Sequence, residues 1–341
     1  MDSRFFSPLP EGLRCELCPR RCVIGEGKTG ACGIRGCRER RGHIPYYGYV
    51  TALAEDPIEK KPLYHFRPGT SILSAGFAGC NLHCPFCQNW RISQIREAEI
   101  VPGRRIPPEE LVARAKGGAL LAYTYSEPLI HAEYLLDCMA LARKRGIANV
   151  LVTNGCVNAE AAAEILSLTD AANIDLKCFS PETYAALLGG NLAAVRDFIT
   201  MAAAMGVHTE ITTLVVPGLN DSEGELENCA AFIAGLAADA GGMGTIPWHL
   251  SAYHPGYRWE APPTAGGMLR DAARRARKCL RYVYTGNLAE EINDTLCPCC
   301  GRPLVKRRAY RIETEGLELR REGRNAFYRC AFCKSPAPFR F

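Results

Sequence analysis

Three cysteines in the segment GFAGCNLHCPFCQNW, residues 76–90, have the type and spacing of metal ligands. They are Cys80, Cys84 and Cys87, in a CxxxCxxC pattern. A structural zinc site closes its tetrahedron with four ligands, so a set of three either recruits a distant residue or leaves one coordination position free for chemistry. Three thiolates can also hold three irons of a [4Fe-4S] cube, which leaves the fourth iron open to an external chelating ligand. The segment predicts a metal centre of one of these two kinds.

A second set of cysteines, toward the C-terminus, has a different pattern. CPCCGRPL makes a CxxC of Cys297 and Cys300, and CAFC repeats that spacing with Cys330 and Cys333. Two CxxC knuckles separated by about thirty residues are typical of a zinc ribbon or a rubredoxin-like site closed by four thiolates. Tetrahedral sulfur binds either ion, with zinc favoured, and Cys299 inside the first knuckle is not expected to be a ligand.

A third set lies in CELCPRRC and the residues that follow it. Its members are Cys15, Cys18, Cys22 and Cys32, which form a CxxC, a CxxxC and then a nine-residue gap, with Cys37 as a spare. Four thiolates in this pattern bind either zinc or a second iron-sulfur cluster. The N-terminal set therefore predicts a metal site whose ion stays open.

Composition limits the class of protein. The 341 residues include 18 cysteines, and Lys+Arg 41 against Asp+Glu 36 gives a net charge of +5, which is too small to indicate nucleic acid as a partner. No apolar run reaches the roughly 18 residues of a membrane span, and the first residues show no signal peptide. Cysteines in metal-knuckle spacings favour a reducing compartment over secreted disulfides. The chain is predicted to be cytoplasmic.

The elements that must position these cysteines alternate between short apolar runs and longer Ala/Leu-rich amphipathic runs from about residue 71 to 288. Such alternation predicts repeated βα units and a parallel sheet, and six or seven units in series predict a barrel or partial barrel. The predicted strands cover 71–77, 119–125, 149–155, 171–177, 208–216, 245–253 and 281–287. The predicted helices between them cover 109–117, 131–146, 158–168, 192–206 and 225–241, several ending at glycine.

Polar residues follow several of the predicted strands. Because active sites of βα barrels gather at the carboxyl ends of the strands, these residues are expected to face one mouth together with the Cys80 loop. They are Glu127 in TYSEP, Asn154 in TNG, Asp175 and Lys177 in DLK, and His249 in WHLSAYHP.

A CxxxCxxC loop directly after the first strand of such a series resembles the radical SAM superfamily. Further motifs, which span nearly the whole chain, resemble the radical SAM member of the AmmeMemoRadiSam system, a relative of pyruvate formate-lyase activating enzyme. They are CQNW, DPIEKKPLYHF (56–66), TYSEP, TNG, DLK, VVPGLND, WHLSAYHP and YVYTGN.

The resemblance implies a fold, cofactors and a reaction. The fold is α/β, a partial (β/α)6-type TIM barrel over 71–290, with a Cys-rich N-terminal domain over 1–70 and a zinc-ribbon or rubredoxin-like domain over 291–341. Cys80, Cys84 and Cys87 would ligate a [4Fe-4S] cluster whose open iron binds S-adenosylmethionine (SAM). One electron, from a donor such as flavodoxin or ferredoxin, cleaves SAM to methionine and a 5′-deoxyadenosyl radical that abstracts hydrogen.

The resemblance also implies roles for single residues. Phe86 would lie near the adenine, and Glu127 would contact the methionyl amine. Activating enzymes have two glycines before that Glu, where this chain has Tyr125 and Ser126. Further residues would hold or orient the cofactor, namely Asn154, Asp175 and Lys177, and His249 would line the site.

Each of these residues also has a simpler interpretation. Glu127 and Lys177 could form a rim ion pair, and Asn154 could be a turn residue. Asp175 could cap a helix, and His249 could be a hydrogen-bonded core histidine. The candidate catalytic residues are His249, Cys156 and Cys178; the two cysteines, which follow TNG and DLK, could equally be small buried hydrophobes.

Two functions of different classes follow. The first is a radical SAM enzyme acting on a protein or small molecule, with Memo-type and AMMECR-domain proteins as the partners that the resemblance implies and glycyl-radical-enzyme activation as the alternative activity. The second is a zinc-only module in which all three cysteine sets hold zinc and the ribbon binds nucleic acid. Iron content separates the two.

Overall fold

The apolar runs predicted as strands pair side by side in one sheet. A computed structural model of the chain describes residues 4–95, 101–115, 120–289, 292–308, 311–322 and 325–341. The strands in this described part are β1 (Phe6–Leu9), β2 (Gly12–Cys15), β3 (Val23–Ile24), β4 (Gly36–Arg38), β5 (Arg41–His43), β6 (Tyr49–Pro57), β7 (Ser71–Phe77), β8 (Arg104–Arg105), β9 (Leu120–Thr124), β10 (Ala148–Thr153), β11 (Ala171–Asp175), β12 (His208–Val215), β13 (Trp248–Ala252), β14 (Val283–Gly286), β15 (Thr295–Leu296), β16 (Pro303–Arg308), β17 (Arg311–Glu313), β18 (Leu317–Glu322), β19 (Asn325–Cys330) and β20 (Pro336–Arg340).

Helices cover most of the connections between the central strands. In the same described ranges they are α1 (Trp90–Ser93), α2 (Pro108–Arg114), α3 (Ala132–Lys144), α4 (Ala159–Leu166), α5 (Pro181–Thr183), α6 (Leu192–Ala204), α7 (Glu223–Leu236) and α8 (Gly266–Ala276), with 3-10 turns at Ile58–Lys60 and Pro128–His131 and a π-helical turn at Tyr184–Leu188. The side chains of Asn191 and Ser222 accept N-terminal backbone N–H groups of α6 and α7. Gly146 and Gly206, just beyond α3 and α6, have the positive φ of helix C-caps.

The strand order in the central sheet is β14-β13-β12-β11-β10-β9-β7-β6-β8, nine strands within the described residues. β7 and the strands from β9 to β14 run parallel to one another, whereas β8 lies at the far edge of the sheet beside β6. The seven predicted strands are confirmed as elements of this sheet. Residue 119 of the second predicted strand and residues 116–117 of the first predicted helix lie outside the described residues. Every residue of β9 is buried, as expected for a parallel strand covered on both faces.

The sheet is mixed, because β6 pairs antiparallel with β7 and β8 pairs antiparallel with β6. Residues 49–57, which the sequence analysis grouped with the N-terminal region, therefore belong to the central sheet. The order strand, helix, parallel strand from β7 to β14 is the connectivity of the predicted partial barrel. The curvature of a barrel and the zinc-ribbon assignment stay predictions.

Two smaller units flank the sheet. Residues 4–43 form short antiparallel pairs that pack beside the loop after β7. The C-terminal strands β15 to β20 contact the segment before β7, where the backbone N–H of Arg340 donates to His65 and that of Arg67 donates to Arg340. In the part of the chain that the structure describes, no helix has both the length and the apolar character needed to cross a membrane.

Candidate metal and active site

The loop that carries Cys80, Cys84 and Cys87 begins where β7 ends, at the carboxyl edge of the parallel strands. Gly79 has φ of +84°, and a Cβ added there would lie 2.7 Å from the carbonyl oxygen of Cys32. Glycine is therefore required for the loop to turn against the N-terminal unit. Cys84 is buried and the other two are partly buried.

The sulfurs of this loop receive polar hydrogens from the protein. The backbone N–H of Leu82 donates to the Cys80 sulfur at 3.3 Å, and the Asn154 side-chain amide lies 3.6 Å from the same sulfur. The Cys87 sulfur lies 3.2 Å from the Ser93 hydroxyl oxygen. Donors of this kind stabilise metal-bound thiolates and tune cluster potentials. The surroundings of Cys80 and Cys87 therefore fit cluster-bound cysteines.

Burial keeps the thiols of Cys80 and Cys84 protonated until a metal binds. It raises the pKa of Cys84 to about 12, although the Lys177 ammonium nearby acts in the opposite direction. Burial likewise raises the pKa of Cys80 well above the ordinary value. Metal binding at this loop must therefore release protons, since the thiolate is the ligand.

Glu127 joins the ends of two neighbouring strands. One carboxylate oxygen accepts the Thr153 hydroxyl at 2.6 Å and the backbone N–H of Leu129 at 3.0 Å, and the other accepts the backbone N–H of Asn154 at 2.8 Å. Glu127 is 1% exposed, so it is not the surface residue of the simpler interpretation. It positions Asn154, whose amide reaches Cys80.

Burial raises the pKa of Glu127 to about 7, against 4.5 ordinarily, and its hydrogen bonds offset only part of that rise. A carboxyl group with a raised pKa lends stability that is fully present below the unfolded pKa and is lost as pH rises through the folded pKa. In metal-free protein we expect Glu127 to lower the free energy of unfolding by about 3 kcal/mol between about pH 4.5 and pH 7. Urea titrations across this pH range should show that the free energy of unfolding declines less steeply with pH in Glu127→Gln than in wild type. Equal declines in the two proteins would contradict the raised pKa of Glu127.

Asp175 and Lys177 form an ion pair beside the cysteine loop. Asp175 ends β11, and the Lys177 ammonium donates to its carboxylate at 3.0 Å. Burial alone would lower the pKa of Lys177, but the negative charge of Asp175 outweighs it and holds that pKa well above its usual range. The ammonium is therefore charged and close to Cys84.

Tyr125, where activating enzymes have glycine, occupies the left-handed region with φ of 68°. A non-glycine residue is strained there and needs support from its surroundings. Its hydroxyl donates to Asp56 at 2.5 Å, and the Lys61 ammonium lies 4.3 Å from its ring centroid. Its carbonyl accepts the Asn89 amide at 2.6 Å. The chain thus keeps a glycine-like backbone with a tyrosine held in place by the 56–61 segment.

His249 does not follow its strand. It is the second residue of β13, near the amino end, whereas the sequence analysis expected it at the mouth after the strand. Its Nε2 lies 2.7 Å from a Glu210 carboxylate oxygen, and the other oxygen lies 2.9 Å from Nε2 of His208. Burial would raise the pKa of Glu210, but these histidines outweigh it and hold that pKa well below its usual range. The core-histidine interpretation of His249 therefore describes its surroundings better.

The remaining candidates are buried. Phe86 packs in the main hydrophobic core at 3% exposure. Burial raises the pKa of Cys156 to about 11 and that of Cys178 to about 12. Neither thiol is ionised near neutral pH, so the roles of all three residues stay predictions.

The C-terminal cysteines converge as a single-ion site requires. The four predicted ligands are the group whose ligand atoms, among the described residues, all lie within 4.8 Å of one another. The Cys297–Cys333 and Cys300–Cys330 sulfurs are each 3.7 Å apart. A tetrahedron with Zn–S bonds of about 2.3 Å has edges of about 3.8 Å. The spacing fits one tetrahedral ion, and Cys299 lies outside the group as expected.

We expect Cys330→Ala to lose one equivalent of bound metal per chain, because the buried Cys330 is one of the four converging thiols. The exposed Cys299→Ala variant is the matched control and should keep the wild-type metal content. Plasma mass spectrometry of both proteins measures the difference and identifies the ion. Equal metal loss in the two variants would contradict the assignment.

Some residues of the site escaped sequence reasoning. Asn81 accepts the Asn154 amide at 3.0 Å and donates to the carbonyl of Cys156 at 2.7 Å. The Thr153 hydroxyl donates to Glu127, and the Ser93 hydroxyl contacts the Cys87 sulfur. The available signal was position alone, since Asn81 adjoins a ligand cysteine and Thr153 ends a strand.

Comparison with known proteins places this site in a family. Residues 76–229 match the model of the radical SAM superfamily. An uncharacterised protein of Methanocaldococcus jannaschii is 36% identical over 341 residues, 97% of each chain. The pyruvate formate-lyase-activating enzyme of Clostridium pasteurianum is 27% identical over 173 residues, 47% of this chain and 68% of that protein.

Solved structures give weaker likenesses. A domain of pyruvate-formate lyase-activating enzyme from Bacteroides vulgatus has a TM-score of 0.42 at 19% identity, covering 50% of this chain and all of the domain. SuiB of Streptococcus suis bound to S-adenosylmethionine has a TM-score of 0.45 at 15% identity, covering 60% of this chain and 48% of SuiB. The matched residues begin in β7, include the cysteine loop and extend beyond Lys177. The chain belongs to the radical SAM superfamily, whose members use a [4Fe-4S] cluster and SAM, and it has relatives among the activating enzymes of pyruvate formate-lyase.

Proposed function

We propose that this protein holds a [4Fe-4S] cluster on Cys80, Cys84 and Cys87 and cleaves SAM reductively, and that the 5′-deoxyadenosyl radical so formed abstracts hydrogen from a protein or small-molecule substrate. The observation that supports this most is the loop after β7, which carries three cysteines at CxxxCxxC spacing and places polar groups of the protein at the sulfurs of Cys80 and Cys87. When bound, the cluster supplies the electron that cleaves the sulfonium.

The chain's own residues would bind and orient the cofactor. The Lys177 ammonium suits the carboxylate of the methionyl group, and Asp175 fixes its position. The Glu127 carboxylate suits the methionyl amine. A carboxylate has about four acceptor positions, and three N–H or O–H groups of the protein occupy three of them here, which leaves one for the amine. Asn154 would hold Cys80 in the geometry that the cluster needs.

The test is spectroscopic and chemical. Protein purified without oxygen should contain iron and sulfide, and the EPR spectrum of the reduced protein should shift when SAM is added. 5′-Deoxyadenosine should appear in the presence of reductant. Zinc without iron, and no deoxyadenosine after reconstitution, would overturn the proposal and favour the zinc-only module.

A narrower candidate is activation of a glycyl-radical enzyme. It is favoured by the named relatives, which include a benzylsuccinate synthase activating enzyme of Thauera aromatica that is 20% identical over 247 residues. The replacement of two glycines by Tyr125 and Ser126 departs from that pattern, but Tyr125 adopts a left-handed backbone that glycine takes without strain. Incubating the reduced protein with SAM and a glycyl-radical enzyme should produce a glycyl-radical EPR doublet; cofactor cleavage without that doublet would reject this candidate.

The motifs that resemble the AmmeMemoRadiSam system support a proposal about partners. Memo-type and AMMECR-domain proteins would be functional partners in the cytoplasm, with flavodoxin or ferredoxin as the reductant. Affinity purification of the protein with co-expressed candidates tests this, with retention expected for true partners and wash-out contradicting the assignment.

A further inference from the structure

The N-terminal cysteines form a second site next to the Cys80 loop. Their side chains line one small cavity, closed on its other sides by apolar residues, a buried arginine and part of the Cys80 loop. The lining includes Cys15, Cys18, Cys22, Cys32, Arg35 and Asn81. Cys37 is separate, since its thiol lies 3.7 Å from the Glu26 carboxylate. The cavity therefore gathers the same four cysteines that the spacing selects.

Each of the four sulfurs receives an N–H group. The backbone N–H of Ala31 donates to Cys22 at 3.5 Å, and the Arg35 guanidinium donates to Cys15 at 3.4 Å. Backbone N–H groups also reach the other two sulfurs, that of Arg20 at Cys18 and those of Ile34 and Arg35 at Cys32. A neutral thiol is a weak acceptor, whereas a metal-bound thiolate is anionic. N–H donors at all four sulfurs therefore suit four anionic, metal-bound thiolates.

A buried ion pair lies beside the cavity and keeps Arg35 charged. Arg35 is 1% exposed, and its guanidinium pairs with both carboxylate oxygens of Glu133 at 2.7 and 2.9 Å. The N–H that remains directed at Cys15 places positive charge against a ligand sulfur. Hydrogen bonds and charge at cluster sulfurs raise a reduction potential.

This site touches the Cys80 loop directly. A Cβ on Gly79 would meet the Cys32 carbonyl oxygen at 2.7 Å, so the two backbones are in contact. The Arg20 side chain donates to the carbonyl of Asn81 at 3.0 Å. Cys32 and Cys80 also line one pocket together. A structural zinc ion gains nothing from a position beside another metal centre, whereas an electron carrier must be there.

The two four-cysteine sets differ in spacing. The C-terminal sulfurs converge within 4.8 Å, as one ion requires, and in the described part of the chain the N-terminal sulfurs do not meet that spacing. A cluster of several irons and sulfides separates its cysteine ligands more widely than a single ion does. The arrangement around a cavity suits a cluster.

We propose that Cys15, Cys18, Cys22 and Cys32 ligate a second iron-sulfur cluster that passes electrons to the cluster on Cys80, Cys84 and Cys87; the relay, though not the second cluster, rests on the proposed function. A reduced ferredoxin- or flavodoxin-type protein loses one electron to the N-terminal cluster. That cluster returns to its oxidised state when the cluster on the Cys80 loop is reduced by one electron. No bond to substrate forms or breaks in this step.

The first test counts clusters. The variant with Cys80, Cys84 and Cys87 all changed to Ala, reconstituted without oxygen, should still bind iron and sulfide and give an EPR signal that SAM does not shift. Zinc in place of iron in this variant would overturn the proposal. Should the triple variant fail to fold, Mössbauer counting on wild type decides: iron beyond one [4Fe-4S] cluster and the C-terminal ion supports a second cluster, and no such excess rejects it.

The second test examines the relay. In Cys22→Ala we expect deoxyadenosine formation driven by reduced ferredoxin to fall at least tenfold more than that driven by dithionite, which is small enough to reduce the other cluster directly. Cys299→Ala, outside every set, is the control. Equal effects of both reductants would reject the relay. A wild type that makes no deoxyadenosine with dithionite would instead refute the proposed function, while the iron count of the triple variant would still stand.

Discussion

Cys84→Ala is expected to form no 5′-deoxyadenosine above background. Cys84 is the buried middle cysteine of the three proposed ligands, and its removal would leave one iron of the proposed cluster without a protein thiolate. Electron delivery to SAM requires that cluster, so the loss should be complete and not graded. The measurement is deoxyadenosine by chromatography with dithionite as reductant, alongside EPR before and after SAM.

The control for this prediction separates chemistry from folding. Cys299→Ala removes an exposed thiol and should retain wild-type product formation. Cys84→Ala should keep the metal content of the C-terminal site and the wild-type circular dichroism spectrum, because the four converging sulfurs proposed to bind that ion do not include Cys84. Product formation at the wild-type rate in Cys84→Ala would show that the cysteine loop is not the reaction centre.

Glu133→Gln is expected to lower the free energy of unfolding by about 3–5 kcal/mol. The side chains of Arg35 and Glu133 are 1% and 4% exposed, and two hydrogen bonds join them. Neutralising the carboxylate leaves the guanidinium charged in a low-dielectric interior, where the energetic cost is greatest. Urea unfolding followed by circular dichroism gives the difference.

An exposed pair on the neighbouring helix gives the matched control. Glu110 and Arg114 also form a hydrogen-bonded ion pair, but their side chains are 47% and 40% exposed. Glu110→Gln should therefore change the free energy of unfolding by no more than about 0.5 kcal/mol. Equal losses in Glu110→Gln and Glu133→Gln would contradict a special contribution from burial.

The parallel part of the sheet could be predicted because its signal is local. Buried parallel strands are short apolar runs, as in β9, and helices with periodic apolar faces separate them. Residues that end or follow these strands, such as Asn154 and Lys177, lie near the cysteine loop because the parallel strands share one carboxyl edge, whereas their roles stay predictions.

The rest depends on contacts between distant segments. β6 contains Glu55 and Asp56 and resembles a loop in sequence, but pairing with β7 makes it a strand. His249 was expected at the mouth, but it lies inside the predicted run 245–253 and near the amino end of β13, so its side chain meets Glu210 and not the cysteine loop. Glu127 was expected to contact the cofactor, but its three bonds within the protein could not be read from TYSEP. Tertiary hydrogen bonds leave no local pattern.

The pairing of the segment at His65 with the C-terminal strand has a consequence for synthesis on the ribosome. The ring of His65 lies 2.8 Å from the carbonyl oxygen of Pro338, a residue 273 positions later in the chain. The carbonyl of His65 and the backbone N–H of Arg67, which pair with Arg340, therefore stay hydrated until after the whole central sheet has been translated. The first two cysteine sets precede the C-terminal strands in the chain, so both leave the ribosome before those strands can close over this segment.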